Sequence, residues 1–203
     1  FLKANGFSEE TALTMYLPNT YELYWNTTAE EYRKRMLTEY NRFWTDARKA
    51  KAEAQGLTPT EVYVLASIVQ KETAKNDERP RVAGVYLNRL HNGWKLDADP
   101  TVIYAVKKQQ GDFDQVIKRV LYKDLETDSP YNTYKYGGLP PGPIFMPDLS
   151  AINAVLNPES HQYYFFVADV SNPGYHLFAK TVAQHNANRK QYIDWINKQG
   201  INR

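Results

Sequence analysis

The sequence predicts an α+β fold that is mainly helical and carries a small antiparallel sheet. Two capping boxes, which start at Thr28 and Thr58, mark helix beginnings because side chains there satisfy the first free N–H groups. The sheet is predicted from residues 163–168 and 175–180, which are rich in aromatic side chains. A Ser-Asn-Pro-Gly turn at 171–174 joins these segments, so we expect them to pair as neighbouring strands.

The N-terminal part is predicted to be largely helical. A short helix is expected over 8–17, with Ser8 as its cap, and residues 20–25 alternate in the manner of a short strand. The first capping box begins a long polar helix over 28–55, which Gly56 ends. Because this helix is highly charged, we expect it to be solvated and to bridge the N-terminal piece to the rest of the chain.

The remainder of the chain is predicted to combine helices with one long loop. Thr58, Pro59 and Glu61 begin an apolar helix over 62–74. Further helices are predicted over 80–91, 101–108, 148–156 (capped by Asp148) and 181–199. The segment 112–147 has few periodic cues and ends in a stretch dense in glycine and proline, so we expect a structured loop with a functional role.

Composition and motifs exclude several function classes. The net charge of +2 on 203 residues is too small to predict nucleic acid or anionic lipid as a partner. Cysteine is absent, which removes thiol nucleophiles, zinc–thiolate sites, iron–sulfur clusters and disulfides. The four histidines lack metal-ligand spacing, and neither the glycine-rich nucleotide motifs nor G-x-S-x-G occurs. No stretch approaches the roughly 20 apolar residues that span a bilayer.

Glu72 is the carboxylate most suited to catalysis. It follows Ile68 by four residues and Val69 by three, so it lies on the apolar face of its predicted helix. Burial disfavours a charged carboxylate and would raise the pKa of Glu72, and glycosidic cleavage needs a carboxylic acid that keeps its proton at neutral pH. The alternative is that Glu72 reaches solvent or pairs with a nearby cation. The cations within reach are Lys71, Lys75 and Arg81.

Two further carboxylates, Asp97 and Asp99, precede Pro100. Asp99 suits the cap of the next helix, where its oxygen would accept a hydrogen bond from a backbone N–H. A second interpretation is that it forms a second carboxylate facing Glu72. The two roles are compatible.

The long loop contains a candidate binding wall. Residues 129–134 offer two phenols, an amide and two hydroxyls, and residues 137–144 follow with the sequence GGLPPGPI. Prolines stiffen a loop and glycines let its backbone approach a ligand, so together they predict a pre-organised surface. The alternative is a turn-rich connector without a binding role.

Several segments of the chain, in order, resemble one known family. They are 66–73 (ASIVQKET), 83–90 (AGVYLNRL), 99–104 (DPTVIY), 129–134 (SPYNTY), 138–144 (GLPPGPI), 176–178 (HLF) and 185–186 (HN). Together they resemble the YceG-like (MltG) family of endolytic murein transglycosylases. The resemblance extends over about residues 57–186, and residues 16–23 are similar to the end of that family's N-terminal LysM-like region. Ala179 departs from the pattern, which has a small hydroxyl residue there.

The resemblance implies an enzyme that cuts peptidoglycan glycan strands. Its expected reaction breaks the β-1,4 bond between N-acetylmuramic acid and N-acetylglucosamine and leaves 1,6-anhydro ends, with Glu72 as acid and base and with no cofactor or metal. The expected substrate-binding residues are Asn88, Asp99, Thr101, Tyr131, Asn132, Thr133, Gly138 and Leu139. Two alternatives remain: a hydrolytic muramidase with Asp99 as second carboxylate, and a non-catalytic peptidoglycan-binding module.

The resemblance also implies a domain organisation and a location. Residues 1–56 are expected to be the remnant of a LysM-like subdomain with its bridging helix, and residues 57–203 the catalytic domain. Because the chain starts at Phe1 without a leader, we expect a piece of a longer protein, anchored to the inner membrane by an N-terminal helix outside this sequence. The catalytic domain would face the periplasm. Glycan strands are the expected partner, with the cell-wall synthesis machinery as a further one and no nucleic acid.

Overall fold

The computed structural model describes residues 1–117 and 119–198. In that part of the chain, the 3-10 helices Lys3–Asn5 and Ala12–Met15 precede eight α-helices and a two-stranded antiparallel sheet. The α-helices are α1 (Ala29–Phe43), α2 (Asp46–Ala54), α3 (Pro59–Glu72), α4 (Arg79–His91), α5 (Asp99–Gln110), α6 (Tyr122–Leu125), α7 (Leu149–Leu156) and α8 (Val182–Lys198). The strands β1 (Phe165–Ala168) and β2 (His176–Ala179) lie between α7 and α8. The predicted α+β class, mainly helical with a small antiparallel sheet, is confirmed.

Helix α3 is the centre of the main hydrophobic core. Every residue of 62–69 is buried, so this helix is enclosed along its middle on all sides, with α4, α5 and α7 packed around it. The predicted capping box holds its start. The Glu61 N–H donates to Thr58 Oγ1 at 3.3 Å, and the Thr58 N–H donates to Glu61 Oε2 at 2.7 Å. The last residue of α3, Glu72, thereby lies at the edge of the core.

The predicted sheet forms, with shorter strands than expected. β1 and β2 have four residues each and pair antiparallel, with Phe165 opposite Ala179. The predicted turn between them is present: Gly174 has a φ of 89°, and the Tyr175 N–H donates to the Asn172 carbonyl at 3.1 Å. Helix α8 packs against both strands.

Two predictions for residues 8–25 are wrong. The segment 8–17 contains only the single turn Ala12–Met15, because the hydroxyls of Ser8 and Thr11 each accept a hydrogen bond from the other residue's backbone N–H. Such local bonds compete with helix formation. Residues 20–25 form no strand, because a strand requires a hydrogen-bonded neighbour and the described chain places none beside them.

The predicted helix over 28–55 is two helices, α1 and α2. At the break, Trp44 turns into the core and is 2% exposed. Thr45 then begins α2 by accepting a hydrogen bond from the Arg48 N–H at 3.4 Å. Burial of the indole ring and the new cap both favour the break.

The remaining helix predictions agree with the structure to within three residues at each end, apart from residue 199, which lies outside the described residues. Two cap predictions need correction. The cap position of α5 is Ala98, so Asp99 is the first residue of the helix instead of its cap. Asp148 occupies the cap position of α7, but its side chain accepts no capping hydrogen bond. None of the described helices has the length and apolar composition needed to cross a membrane.

Candidate active site

A cavity of about 450 Å³ opens at the end of α3. Its walls come from α3, α4, the start of α5, the sheet, α8 and the loop that precedes α7. The polar lining includes Glu72, Tyr86, Arg89, Asp99, Tyr134 and His176. We call this the Glu72 cavity.

Glu72 points into this cavity and is held by the neighbouring helix. The hydroxyl of Tyr86, a residue 1% exposed, donates a hydrogen bond to Glu72 Oε1 at 2.5 Å. Within the described residues Glu72 forms no ion pair, so the alternative of a paired surface glutamate is wrong. The three cations near it in sequence are engaged elsewhere: Lys71 over Phe145, Lys75 over Tyr175, and Arg81 with Glu159.

The environment of Glu72 keeps it partly protonated at neutral pH. Burial raises the pKa of Glu72 to about 7 from an ordinary value of 4.5. The hydrogen bond from Tyr86 acts in the opposite direction, and the negative charge of Asp99 adds to the rise. The carboxyl group is enclosed by protein although the residue as a whole keeps some contact with solvent. Glu72 therefore has the protonation behaviour of a general acid.

Asp99 is the second carboxylate of the Glu72 cavity. Its Oδ1 accepts a hydrogen bond from the Tyr134 hydroxyl at 2.7 Å. This contact replaces the capping role predicted for Asp99 and ties the start of α5 to the loop 129–134. The structure therefore brings Glu72 and Asp99 to one cavity.

Asp97 lines the same cavity with its backbone in the left-handed region, which is uncommon for residues other than glycine. Its φ of 47° is the single positive value among the non-glycine residues that the structure describes. Its Oδ2 lies 3.5 Å from Arg89 Nη1, and the buried Arg89 also donates to the carbonyls of Tyr164 and Leu96. Strained backbone of this kind is found preferentially at functional sites.

Three predicted binding residues lie outside the lining of the Glu72 cavity and hold the loop that forms part of its wall. They are Asn132, Thr133 and Thr101. Asn132 is fully buried and donates to the carbonyls of Leu125 and Thr127 at 2.9 and 2.8 Å. The buried Thr101 and Thr133 share a hydrogen bond of 2.8 Å between their hydroxyls. These contacts fix the loop that carries Tyr134.

Four other predicted binding residues also lie outside the lining of the Glu72 cavity. Tyr131 is 2% exposed and packs against Tyr104 with 4.7 Å between ring centroids. Asn88 lies in the wall of another cavity and donates to the carbonyls of His161 and Tyr163. Gly138 has a φ of 80°, and Leu139 packs against the main core.

A second cavity of about 580 Å³ adjoins the first. The two share Asp99 and Tyr134 as a common wall. The second cavity also contains the side chains of Arg119, Lys123 and Arg189, and we call it the cationic cavity. In the described ranges these three cations form no ion pair, so the cavity has an excess of positive charge.

Comparison with known proteins identifies the family of this chain. A family model described as the YceG-like family matches residues 3–191. The chain belongs to the YceG-like family.

Individual relatives agree with this placement. The YceG-like chain is 35% identical over 173 residues to a Bacillus subtilis protein named endolytic murein transglycosylase, and 33% identical over 179 residues to a Streptococcus pneumoniae protein of the same name. These alignments cover 85% and 87% of the chain, but only 45% and 31% of the relatives. A crystal structure of a yceG-like protein from Listeria monocytogenes superposes with a TM-score of 0.69 at 35% identity, over 85% of this chain and 54% of that one. The chain thus spans about half the length of these relatives, or less.

Most residues that line the Glu72 cavity were not among the predicted catalytic and binding residues, which contributed only Glu72 and Asp99 to it. The missed polar residues include Tyr86, Arg89, Tyr134 and His176. A sequence signal exists for the first two, because residues three apart on α4 share its inward face. Tyr134 and His176 both lie inside segments that carry the family resemblance, 129–134 and 176–178, so the signal was present without a role attached to it.

Proposed function

We propose that this YceG-like chain carries the catalytic part of an endolytic murein transglycosylase. The single observation that supports this most is Glu72, a carboxyl group with a pKa of about 7 that faces a cavity beside Asp99 and Tyr134. A carboxylic acid that keeps its proton near neutral pH is suited to protonate a glycosidic oxygen. The relatives named endolytic murein transglycosylase support the same reaction.

In the proposed reaction, protonated Glu72 donates its proton to the oxygen that links muramic C1 to the next N-acetylglucosamine. The C1–O4 bond breaks, the muramic 6-hydroxyl attacks C1, and the proton of that hydroxyl restores Glu72. The C1–O4 bond is thus exchanged for a C1–O6 bond, and no water is consumed. One catalytic acid suffices because the nucleophile belongs to the substrate and is held at high effective concentration.

The groups that flank Glu72 are proposed to bind the sugars. Asp99 and Tyr134 form one polar pair of the wall, and Asp97 and Arg89 form another. Carboxylates, phenols and guanidinium groups match the hydroxyl and acetamido groups of amino sugars. Asn132, Thr133 and Thr101 would contribute indirectly, by fixing the loop that carries Tyr134.

The cationic cavity provides room for a polymeric substrate beyond the cleaved bond. An endolytic enzyme needs a groove that continues past the cleaved bond, and the shared wall of Asp99 and Tyr134 connects the two cavities. We propose that Arg119, Lys123 and Arg189 attract the carboxylates of the stem peptides that peptidoglycan strands carry.

The setting of the reaction follows from the substrate. Peptidoglycan lies outside the cytoplasm, so we propose extracytoplasmic action at the periplasmic face of the inner membrane, with an N-terminal membrane helix outside this sequence and with the cell-wall synthesis machinery as partner. We also propose that residues 57–203 are the catalytic domain and residues 1–56 the remnant of a LysM-like subdomain. A small separate cluster of Phe7, Met15 and Met36 supports this division for the first part of the segment, whereas Trp44 and Ala52 belong to the main core.

The test is mass spectrometry of the soluble products formed from purified peptidoglycan by the wild type, by Glu72→Gln and by Glu53→Gln. Glu53 lies exposed on α2 and receives the same chemical change, so it is the matched control. We expect fragments one water lighter than hydrolysis products from the wild type and the control, and none from Glu72→Gln.

Two other outcomes would each identify a different function. Fully hydrated ends would identify a muramidase, for which Asp99 would be the second carboxylate. Sedimentation with peptidoglycan but no soluble product from the wild type would identify a binding module.

A further inference from the structure

A buried carboxylate–imidazole pair forms part of the wall of the Glu72 cavity. Glu78 precedes α4 and is 4% exposed. Its Oε2 accepts a hydrogen bond from Nδ1 of His176 at 2.8 Å, and its Oε1 accepts one from the His176 backbone N–H at 2.8 Å. His176 is the first residue of β2, so two hydrogen bonds fix both its backbone and its ring.

Glu78 is the charged member of this pair. Burial opposes its charge, but the hydrogen bonds from the His176 ring and backbone outweigh burial and lower the pKa of Glu78. A carboxylate only accepts hydrogen bonds, so Nδ1 of His176 carries the hydrogen. In the neutral ring the lone pair is then on Nε2, which forms no hydrogen bond to any residue that the structure describes.

His176 and Glu72 belong to one continuous set of contacts. The His176 ring packs edge-on against Phe166 at 5.2 Å between centroids, and Phe166 packs edge-on against Tyr86 at 5.8 Å. Tyr86 in turn donates its hydroxyl hydrogen to Glu72. Both His176 and Glu72 line the same cavity, and positive charge on His176 would lower the pKa of Glu72, so the two groups interact electrostatically.

We propose that His176, oriented by Glu78, is a second catalytic residue, the base that removes the proton of the muramic 6-hydroxyl. This inference rests on the proposed transglycosylase function. Nε2 takes the hydroxyl proton as O6 forms its bond to C1, while Glu72 gives its proton to O4 as the C1–O4 bond breaks. The imidazolium then returns one proton to the Glu72 carboxylate, which restores both groups, and no further reactant is needed.

This assignment separates the acid from the base. A single carboxyl would have to take the 6-hydroxyl proton directly, whereas here His176 takes it and Glu72 recovers its proton afterwards from the imidazolium. A buried carboxylate that holds Nδ1–H keeps the ring in the basic tautomer and stabilises the imidazolium that forms. General base catalysis by a positioned side chain is typically worth about 10²–10⁴ in rate.

The decisive variant is His176→Asn. The asparagine amide can occupy the place of Nδ1 and keep the hydrogen bond to Glu78, but it has no group in the place of Nε2. We expect kcat for anhydro-product formation to fall at least about 100-fold, with KM and the thermal unfolding midpoint near wild type. His91→Asn is the matched control, because His91 is exposed at the end of α4 and contacts the Gln55 carbonyl instead of the cavity.

A second measurement separates chemistry from folding. His176→Ala should be inactive and should regain activity when imidazole is added, with rescue that saturates as the imidazole concentration rises. Rescue would support the base role even if His176→Asn folded poorly. A His176→Asn enzyme within threefold of wild-type kcat, or an alanine variant that imidazole does not rescue, would overturn the inference. If Glu72→Gln abolishes cleavage while His176 variants retain it, this inference alone fails, whereas a wild type without anhydro products removes the proposed function as well.

Discussion

The Tyr86 hydroxyl donates a 2.5 Å hydrogen bond to Oε1 of Glu72 across the interface of α4 and α3. This bond stabilises the charged form of Glu72, whereas burial of the same carboxyl stabilises the protonated form. Burial has the larger effect, so the pKa of Glu72 is about 7. The pH at which the proposed acid loses its proton is therefore set mainly by the balance between burial and the Tyr86 hydrogen bond.

Tyr86→Phe is expected to move the loss of activity to higher pH. The variant removes the hydrogen bond that lowers the pKa of Glu72 and keeps the ring that buries it. Because the proposed acid must be protonated, activity of the wild type should decline as pH rises through about 7. The pH dependence of kcat/KM tests this, with Tyr24→Phe as control because Tyr24 is 85% exposed. An unchanged alkaline limb in Tyr86→Phe would contradict the assignment of Glu72 as the titrating acid.

Glu72→Gln is expected to stabilise the fold at alkaline pH. Because burial raises the pKa of Glu72 from 4.5 to about 7, the folded wild type binds an extra proton between these values and loses stability as pH rises through about 7. The amide has no such cost and still accepts the Tyr86 hydrogen bond. The variant's gain in unfolding free energy should be up to about 3 kcal/mol larger at pH 8 than at pH 4.

Urea denaturation at the two pH values measures this difference. Glu53→Gln, on the solvent face of α2, should show the same stability difference from wild type at both. A Glu72→Gln gain that does not depend on pH would mean that the carboxyl is not desolvated in solution.

Arg189→Gln and Lys123→Gln are expected to weaken binding of peptide-bearing glycan strands by about two- to fivefold each, with a smaller dependence on salt. The reason is the loss of positive charge from the cationic cavity. Strands stripped of stem peptides by an amidase should bind the variants and the wild type alike. Co-sedimentation at two salt concentrations measures both, with Lys49→Gln as an exposed control on α2. Equal losses on stripped strands would show that the cations contact the glycan instead.

Gly84→Ala is expected to destabilise the protein by about 1–3 kcal/mol. A Cβ at this position on α4 would lie 2.6 Å from the Glu159 carbonyl oxygen and 2.6 Å from His161 Nε2, so the segment before β1 would have to move. Gly137→Ala is the matched control, since a Cβ there has no atom within 4 Å. Urea denaturation gives the comparison, and similar stabilities for the two variants would refute the close packing of α4.

Local signals predicted most of the secondary structure. The capping boxes at Thr28 and Thr58 and the turn at 171–174 form from residues no more than three positions apart, so they are encoded where they occur. The errors arose where a distant contact or a competing local bond decided the outcome. Trp44 breaks the predicted helix 28–55 because the core buries its ring.

Of the residues that line the candidate cavity, the sequence predicted Glu72 and Asp99 but not the other polar side chains around them. The spacing from Ile68 and Val69 placed Glu72 on an inward helix face, which the cavity at the end of α3 agrees with. The segment 112–147 was expected to be one structured loop, but residues 122–125 form the helix α6, which no local signal predicted. Which side chain of 129–134 faces the cavity depends on hydrogen bonds to residues that this part of the loop contacts only in the folded chain.

By itself, the sequence determined where α1 and α3 begin, where the hairpin turns, and that one glutamate belongs to an apolar helix face, because these depend on neighbours within one turn. Only the tertiary structure decided that Tyr86 and Asp99 surround Glu72, and that Glu78 meets His176 across 98 positions of chain. The physical reason is that a pKa depends on the desolvation and charges around a group, and these are supplied by packing of distant segments.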